Sequence, residues 1–305
     1  MVEATCSPAE PRDRAPTSPE RVQGQAVRRQ RSDGCVPHDR ERVPRGTVEV
    51  VSVEVSTDQR PDHPVDWYVE HLVADAGRVA AVIDHGDLAA QVAACPGWDV
   101  RRLVVHLGVI HRWARHCALH TAPPADTDQF EPGDHDLGDG FRAGADDLVT
   151  TLRDLAADAP TWHPFPTERV GRVWPRRLAH ETSIHRWDLQ AAVGDPDPID
   201  PELASDGIDE YFEIAIPRLI DRAGLDVPRS SFHVHCTDID GEWLVWNDGG
   251  DYRMKRAHEK GDAALRGPAE AILLRLWGRA STRSDELSPV GDESAMAAWL
   301  SVAGM

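Results

Sequence analysis

Two residues in the stretch RVWPRRLAHETSIHRWDLQAAV, residues 172–193, are of types that can bind a metal ion together. Glu181 and His185 lie four residues apart. Since each helical residue advances by about 100°, four steps return to nearly the same face, and the two side chains lie one turn apart. Zinc accepts histidine nitrogen and carboxylate oxygen, and a catalytic zinc site has three protein ligands and an open position. The alternative interpretation is a surface charge pair that contributes only about 0.3 kcal/mol.

The helix that carries this pair is predicted from local signals. Pro175 suits a first turn, where its missing N–H leaves no hydrogen bond unmade, and Gly194 follows as the C-cap. His180 and His185 are five residues apart, about 140° around the helix, so they cannot both face one ion as in zinc proteases. Glu181 is therefore predicted as a ligand and not as a general base. Asp188 is either a support for a ligand or a solvated surface carboxylate.

A third candidate ligand, His106, lies in a second helix predicted over residues 100–120, where Asp99 is the expected N-cap. His106 falls within the apolar stripe of this helix and should point into the core of a bundle. A lone core histidine is more often satisfied by a structural hydrogen bond than by a metal. Burying His106, Glu181 and His185 without partners would be costly, whereas one shared cation would satisfy all three. The other histidines of this helix are predicted to be exposed, namely His111, His116 and His120.

The elements that position these residues form an α+β protein. Amphipathic patterns predict four helices, over 65–85, 100–120, 141–157 and 172–193, with a long loop at 121–138. Four such helices make a bundle, and bundles hold metals between facing helices. We predict a disordered tail at 1–62, with a stray strand over Thr47–Ser56, then a metal-binding helical bundle at 63–195 and a smaller α+β domain at 196–305.

The smaller domain is predicted to begin with a helix over Pro201–Ala223 that Pro217 kinks. From Ser230 the apolar period becomes two, which is typical of strands. The predicted strands cover 231–238, 241–246, 251–256 and 263–266, the first two joined as a hairpin, and the predicted closing helices cover 267–279 and 294–302.

Composition limits the classes of partner. The net charge of −19 argues against nucleic acid and anionic membranes, but it does not exclude a small anionic substrate. No apolar run is long enough to span a bilayer, and no apolar signal core opens the chain. Five scattered cysteines without a CxxC motif fit a reducing compartment, so we expect a cytoplasmic protein.

Three motifs together resemble a known family. CPGWDVRRLVVHLGVIHRWA (95–114), RRLAHETSIHRWDLQAA (176–192) and RGPAEAILLRLWGR (266–279) are similar to the mycothiol-dependent maleylpyruvate isomerase family. The resemblance covers roughly residues 64–305. It implies a DinB-like metal-binding four-helix bundle joined to a C-terminal domain like a sterol carrier protein. It also implies a divalent metal, usually zinc, held by the residues that match here as His106, Glu181 and His185.

The resemblance implies a chemistry as well. Mycothiol, a low-molecular-weight thiol, would bind the metal as thiolate and add to an electrophilic small molecule, as in the cis–trans isomerisation of maleylpyruvate-like dicarboxylates. The alternatives are a mycothiol S-transferase for detoxification and a non-catalytic protein that binds a small apolar ligand. Cys95 and Cys117 are interpreted as structural. The family's catalytic arginine is left open among Arg253, Arg256, Arg266, Arg275 and Arg279.

Overall fold

The computed structural model describes residues 62–131 and 136–302. The predicted tail at 1–62, with its strand over Thr47–Ser56, lies outside these residues except for residue 62. The predicted domain limits stay a prediction. Within the described ranges, no helix is long and apolar enough to cross a membrane.

The predicted four-helix bundle is confirmed. Its helices are α1 (Val65–His85), α2 (Val100–Ala118), α3 (Leu137–Asp154) and α4 (Val173–Val193). Helix α1 packs against α3 and α4, and α2 packs against the same two helices from the other side. The bundle thus brings α2 and α4, which carry the three candidate ligands, into contact.

Two helix starts show how capping sets the boundaries. The Asp99 carboxylate accepts a hydrogen bond from the backbone N–H of Arg102 at 2.8 Å, as predicted for the start of α2. Helix α3 begins at Leu137, four residues before the predicted start, because Asp136 caps it by accepting from the N–H groups of Gly138 and Asp139. The sequence predicts a loop up to Gly138, but the cap outweighs the low helix propensity of glycine.

The α+β part begins with an interrupted helix. Helix α5 (Pro201–Glu210) passes into a π-helical turn (Tyr211–Ala215) and then into α6 (Ile216–Ala223). The interruption precedes Pro217, which has no N–H and whose ring would clash with the carbonyl four residues earlier. The predicted kink is therefore a π-helical turn, in which the Ile216 N–H donates to the Tyr211 carbonyl.

The described strands form one sheet in the order β3-β2-β1-β4-β5. Their bounds are β1 (Phe232–Cys236), β2 (Glu242–Asp248), β3 (Asp251–Arg256), β4 (Ala263–Gly267) and β5 (Ser288–Gly291). β1 is antiparallel to β2 and parallel to β4. The predicted hairpin is confirmed, whereas β5 was not predicted, because its four residues are exposed and Pro289 is typical of edge strands. Helices α7 (Ala269–Leu276) and α8 (Glu293–Ser301) complete this part.

Helix α4 is the central element of the fold. Its apolar side chains enter three hydrophobic cores among the described residues. Trp174 and Leu178 lie in one core of the bundle, and Leu189 lies in the other. Ile184 and Trp187 lie in the core that the bundle shares with the α+β part. The side chains from Trp174 to Leu189 are all buried. Because α4 has no solvent-facing side over this length, its many charged residues must find partners inside the protein.

Candidate metal centre

The structure brings the three predicted ligands together from two helices. His106 of α2 and His185 of α4 both approach Glu181. Nε2 of His106 lies 3.8 Å from Oε1 of Glu181, and Nε2 of His185 lies 3.4 Å from the same oxygen. We call these three residues the bundle cluster. One ligand atom of each lies within 4.8 Å of the other two.

These three atoms have no hydrogen bond. Among the described residues, Nε2 of His106, Oε1 of Glu181 and Nε2 of His185 are buried and make none, although they face one another. Buried polar atoms are normally satisfied, so three unsatisfied atoms at one point indicate a missing shared partner. Tetrahedral zinc with bonds of about 2.0–2.1 Å separates neighbouring ligand atoms by about 3.3 Å. The spacing and the donor types of the bundle cluster fit such an ion with small adjustments.

The second carboxylate oxygen of Glu181 is held in place. Arg177, one turn earlier on α4, donates to Oε2 of Glu181 and also to Glu210 of α5, at 2.6 Å. Burial would raise the pKa of the Glu181 carboxyl, but the charge of Arg177 and the nearby imidazoles outweigh it and hold the pKa well below its usual range. Glu181 is therefore an anion with one oxygen fixed and the other directed at the two imidazoles.

The second ring nitrogen of His185 is also fixed. Nδ1 of His185 lies 3.0 Å from Oδ2 of Asp188, which is buried and not a surface carboxylate. When the ring is neutral, an N–H at Nδ1 that donates to Asp188 leaves the Nε2 lone pair for a cation, and this second hydrogen bond is usual for a metal-binding histidine. Burial would lower the pKa of His185, but Asp188 and Glu181 raise it to about 9 in the metal-free protein.

Asp188 is anchored from the α+β part by Arg279. Nε of Arg279 donates to Oδ1 of Asp188 at 3.1 Å, and an Nη2 donates to Oδ2 at 2.7 Å. This two-pronged contact is the strongest arrangement of an arginine and a carboxylate. Arg279, one of the five candidate arginines, thus contacts a residue that supports the bundle cluster.

The end of α7 determines where Arg279 points. Gly278 has a φ of 75°, a left-handed conformation that favours glycine. Its N–H donates to the Arg275 carbonyl, and the N–H of Arg279 donates to the Leu274 carbonyl at 2.7 Å. This is a Schellman motif, which ends α7 and turns the chain back toward α4. The sequence LLRLWGR contained this signal, a glycine after an apolar helical run, but nothing local paired Arg279 with Asp188.

Trp98 packs at the edge of the bundle cluster. Its ring meets the His106 imidazole edge to face, with centroids 5.2 Å apart, and the Arg102 guanidinium lies over the Trp98 ring at 4.6 Å. Trp113 instead packs against Trp162 and Trp174 in the bundle core. Of these tryptophans, Trp98 is the one that limits the orientation of a candidate ligand.

His180 is not part of the bundle cluster, as predicted. Its Nε2 lies 2.7 Å from Oδ2 of Asp206 on α5. Gly207 allows this close approach, since a Cβ there would lie 3.2 Å from Nδ1 of His180 and 3.0 Å from Leu273. Arg176 donates to the same Asp206 oxygen at 2.9 Å, so this side of α4 binds α5 through buried ion pairs.

Cys117 and Cys236 are buried free thiols. Burial raises the pKa of each to about 12, so neither is a thiolate at neutral pH. These two cysteines therefore serve as small apolar residues and are not nucleophiles at neutral pH.

The prediction that His111 is exposed is wrong. His111 is fully buried, with Nε2 3.0 Å from Oγ1 of Thr182 on α4. Helix α2 contacts both α3 and α4, so a larger part of its circumference is covered than one apolar stripe suggests. His116 is half-buried and His120 is exposed.

We predict a pH dependence of stability from His111. Burial lowers its pKa from 6.5 to about 4, so the folded protein keeps this imidazole neutral while the unfolded chain protonates it. The free energy of unfolding is therefore highest above pH 6.5, where His111 is neutral in both states, and it falls as the pH drops toward 4. The shift corresponds to about 3 kcal/mol. Urea unfolding of metal-free protein between pH 7 and 4 should give a smaller loss for His111→Gln than for wild type. His120→Ala is the control, and equal slopes in all three proteins would contradict the prediction.

Fold and site together define a class: a four-helix bundle with an inward-facing His–Glu–His set, joined to a small α+β part whose Arg279 holds the partner of one candidate ligand. Comparison with protein families places the chain more closely. The profile described as the mycothiol maleylpyruvate isomerase N-terminal domain matches residues 69–190, and that of the corresponding C-terminal domain matches residues 202–298. The chain belongs to the mycothiol maleylpyruvate isomerase family, as its motifs predicted.

Solved structures give a more distant similarity. A mycothiol-dependent maleylpyruvate isomerase matches with a TM-score of 0.49 and 14% identity over 75% of this chain and 93% of that chain. A histidine-to-alanine mutant of such an isomerase matches with the same TM-score and coverage at 13% identity. No curated protein matches the chain.

Proposed function

We propose that this protein is a metal- and mycothiol-dependent enzyme. Its substrate is an electrophilic small molecule, a maleylpyruvate-like dicarboxylate, which it isomerises from cis to trans. The observation that carries the proposal is the convergence of three buried, unsatisfied ligand atoms from α2 and α4. Family membership supports mycothiol as the thiol and a maleylpyruvate-like molecule as the substrate.

His106, Glu181 and His185 would hold the metal, for which zinc is the proposed identity. When bound, the metal supplies Lewis acidity that lowers the pKa of a coordinated thiol, so that a nucleophilic thiolate exists at neutral pH. Three protein ligands leave one coordination position for that thiol.

The surrounding residues prepare this site. Asp188 keeps a proton at Nδ1 of His185, and Arg177 fixes Glu181 so that one oxygen faces the imidazoles. Because both carboxylates are already paired with an arginine, they need little rearrangement when a cation arrives. The site is buried between α2 and α4, where competing water is limited and each charge interaction is strengthened.

The test is an assay of full-length protein, zinc-loaded or treated with a chelator, with and without mycothiol. We expect maleylpyruvate to isomerise only when zinc and mycothiol are both present. The same samples are offered a panel of electrophiles. Conjugates without any isomerised product would replace the proposal with an S-transferase. Absence of turnover in every sample, with lipid-like molecules co-purifying, would contradict an enzymatic role.

A further inference from the structure

A second group of metal-binding side chains lies on the sheet of the α+β part, outside the bundle cluster. We propose that His233, His235, Glu242 and His258 form a second site, which binds a transition-metal ion such as zinc. We call these four residues the sheet cluster. The proposal does not depend on the proposed function, because the sheet cluster shares no residue with the bundle cluster.

The strand pattern explains why these residues meet. In β1 the side chains of Phe232, Val234 and Cys236 enter the core, so His233 and His235 share the opposite face. The antiparallel register places His235 directly across from Glu242 of β2. Beyond β3, the N–H of Ala257 donates to the Glu242 carbonyl at 3.2 Å, which brings His258 back to the same place.

The three imidazoles surround one carboxylate. Nε2 of His233 lies 3.1 Å from Oε2 of Glu242, Nδ1 of His235 lies 3.0 Å from Oε1, and Nδ1 of His258 lies 2.5 Å from Oε2. The three ring centroids are separated from one another by 6.0 to 6.1 Å. One ligand atom of each of the four residues lies within 4.8 Å of the others.

The donor set indicates the class of ion. Three imidazoles and one carboxylate suit zinc, copper, nickel and iron better than calcium or magnesium, which prefer oxygen ligands. The spacings of 3.0 and 3.1 Å are near the separation of about 3.3 Å expected around tetrahedral zinc. The shorter contact involves His258, whose side chain is 83% exposed and free to adjust.

Charge also favours a shared cation. The two carboxylate oxygens of Glu242 contact three imidazoles, and these imidazoles repel one another if all become protonated. A metal ion uses the neutral imidazoles and the carboxylate at once. The sheet cluster borders an open cavity of about 410 Å³, so an ion has a path from solvent. A bound ion would hold the segment that follows β3, which carries His258, against β1 and β2.

Zinc stoichiometry tests the proposal on full-length protein stripped of metal. Wild type should bind about two zinc ions per chain, and the double variant H106A/H185A should keep about one, with a dissociation constant of about 1 µM or tighter. Adding H235A and H258A to that variant should remove this remaining ion. E242Q in the same H106A/H185A background should weaken zinc binding, whereas its matched control E259Q, which changes an exposed neighbouring carboxylate, should leave it unchanged.

A second measurement on wild-type protein avoids any folding defect of the variants. Diethylpyrocarbonate modifies accessible histidines, and zinc should protect His258 from it at least about 10-fold, as read by peptide mapping. The exposed His120 should stay reactive with and without zinc. Modification of His258 that zinc does not change would overturn the proposal. So would zinc binding by H106A/H185A weaker than about 100 µM. In either case the sheet cluster is a set of hydrogen bonds only.

Discussion

Replacing His185 with alanine is expected to lower the zinc affinity of the bundle cluster by about 100- to 1,000-fold. Structural zinc sites with four ligands gain roughly 10–16 kcal/mol, so one ligand contributes on the order of 3–4 kcal/mol. Turnover with mycothiol should fall with the metal. Affinity is measured against a chromophoric chelator, in a background that carries H235A and H258A so that the sheet cluster does not contribute.

The same site predicts a proton release. The pKa of His185 is about 9 in the metal-free protein, so its imidazole is protonated at pH 7 and must lose that proton when a metal binds. Zinc affinity should therefore rise with pH up to about 9. Calorimetry in buffers of different ionisation enthalpy should record about one proton released by wild type and less by His185→Ala.

His120→Ala is the control, because His120 is an exposed histidine just beyond α2. It should keep wild-type affinity and turnover. Circular dichroism of the metal-free variants separates loss of metal from loss of fold. Full zinc retention by folded His185→Ala would remove this residue from the site and, with it, the main support for the proposed function.

Replacing Arg279 with alanine is expected to lower the free energy of unfolding by about 3–5 kcal/mol, because the buried Asp188 carboxylate loses the guanidinium that pairs with both of its oxygens. Burial would raise the pKa of Asp188, but the charge of Arg279 and the contact with His185 hold it below its usual value. Since Asp188 orients His185, zinc affinity should also fall by about 10- to 100-fold.

Two further variants separate charge from geometry. Arg279→Lys keeps the charge but loses the two-pronged contact, so both effects should be intermediate. Arg266→Ala removes an exposed arginine of β4 and should change neither quantity. Urea unfolding and chelator competition measure the two effects. If Arg279→Ala unfolded within about 0.5 kcal/mol of wild type and kept its zinc affinity, Arg279 would not position the site.

Much of the fold was predictable because its signals are local. The apolar period of three and four residues places α1, α2 and α4 within about two residues, and the period of two gives β1 to β4. The start of α3 was wrong because glycines hid a capped helix, and β5 was missed because an exposed edge strand has no alternating pattern. The first error arises because a local cap outweighs helix propensity, and the second because strand pairing at a sheet edge leaves no local pattern.

The candidate site divides in the same way. The spacing of Glu181 and His185 on one helix face follows from helical geometry alone, and the position of His106 in an apolar stripe follows from its neighbours. The contacts around these residues could not be predicted from the sequence. The burial of His111 and of Asp188 depends on which faces of α2 and α4 are covered by other elements. The sequence of a single helix does not show which of its faces will be covered.

By itself, the sequence determined the helices, four of the five described strands and the three residue types that can share a cation. Only the tertiary structure decided that α4 lies buried on all sides, so that its charged residues must pair across the fold. The link between Arg279 and Asp188 joins residues 91 positions apart. The sheet cluster likewise depends on strand register and on the chain returning after β3. The physical reason is that periodicity reports a residue's own element, whereas a contact depends on how separate elements pack together.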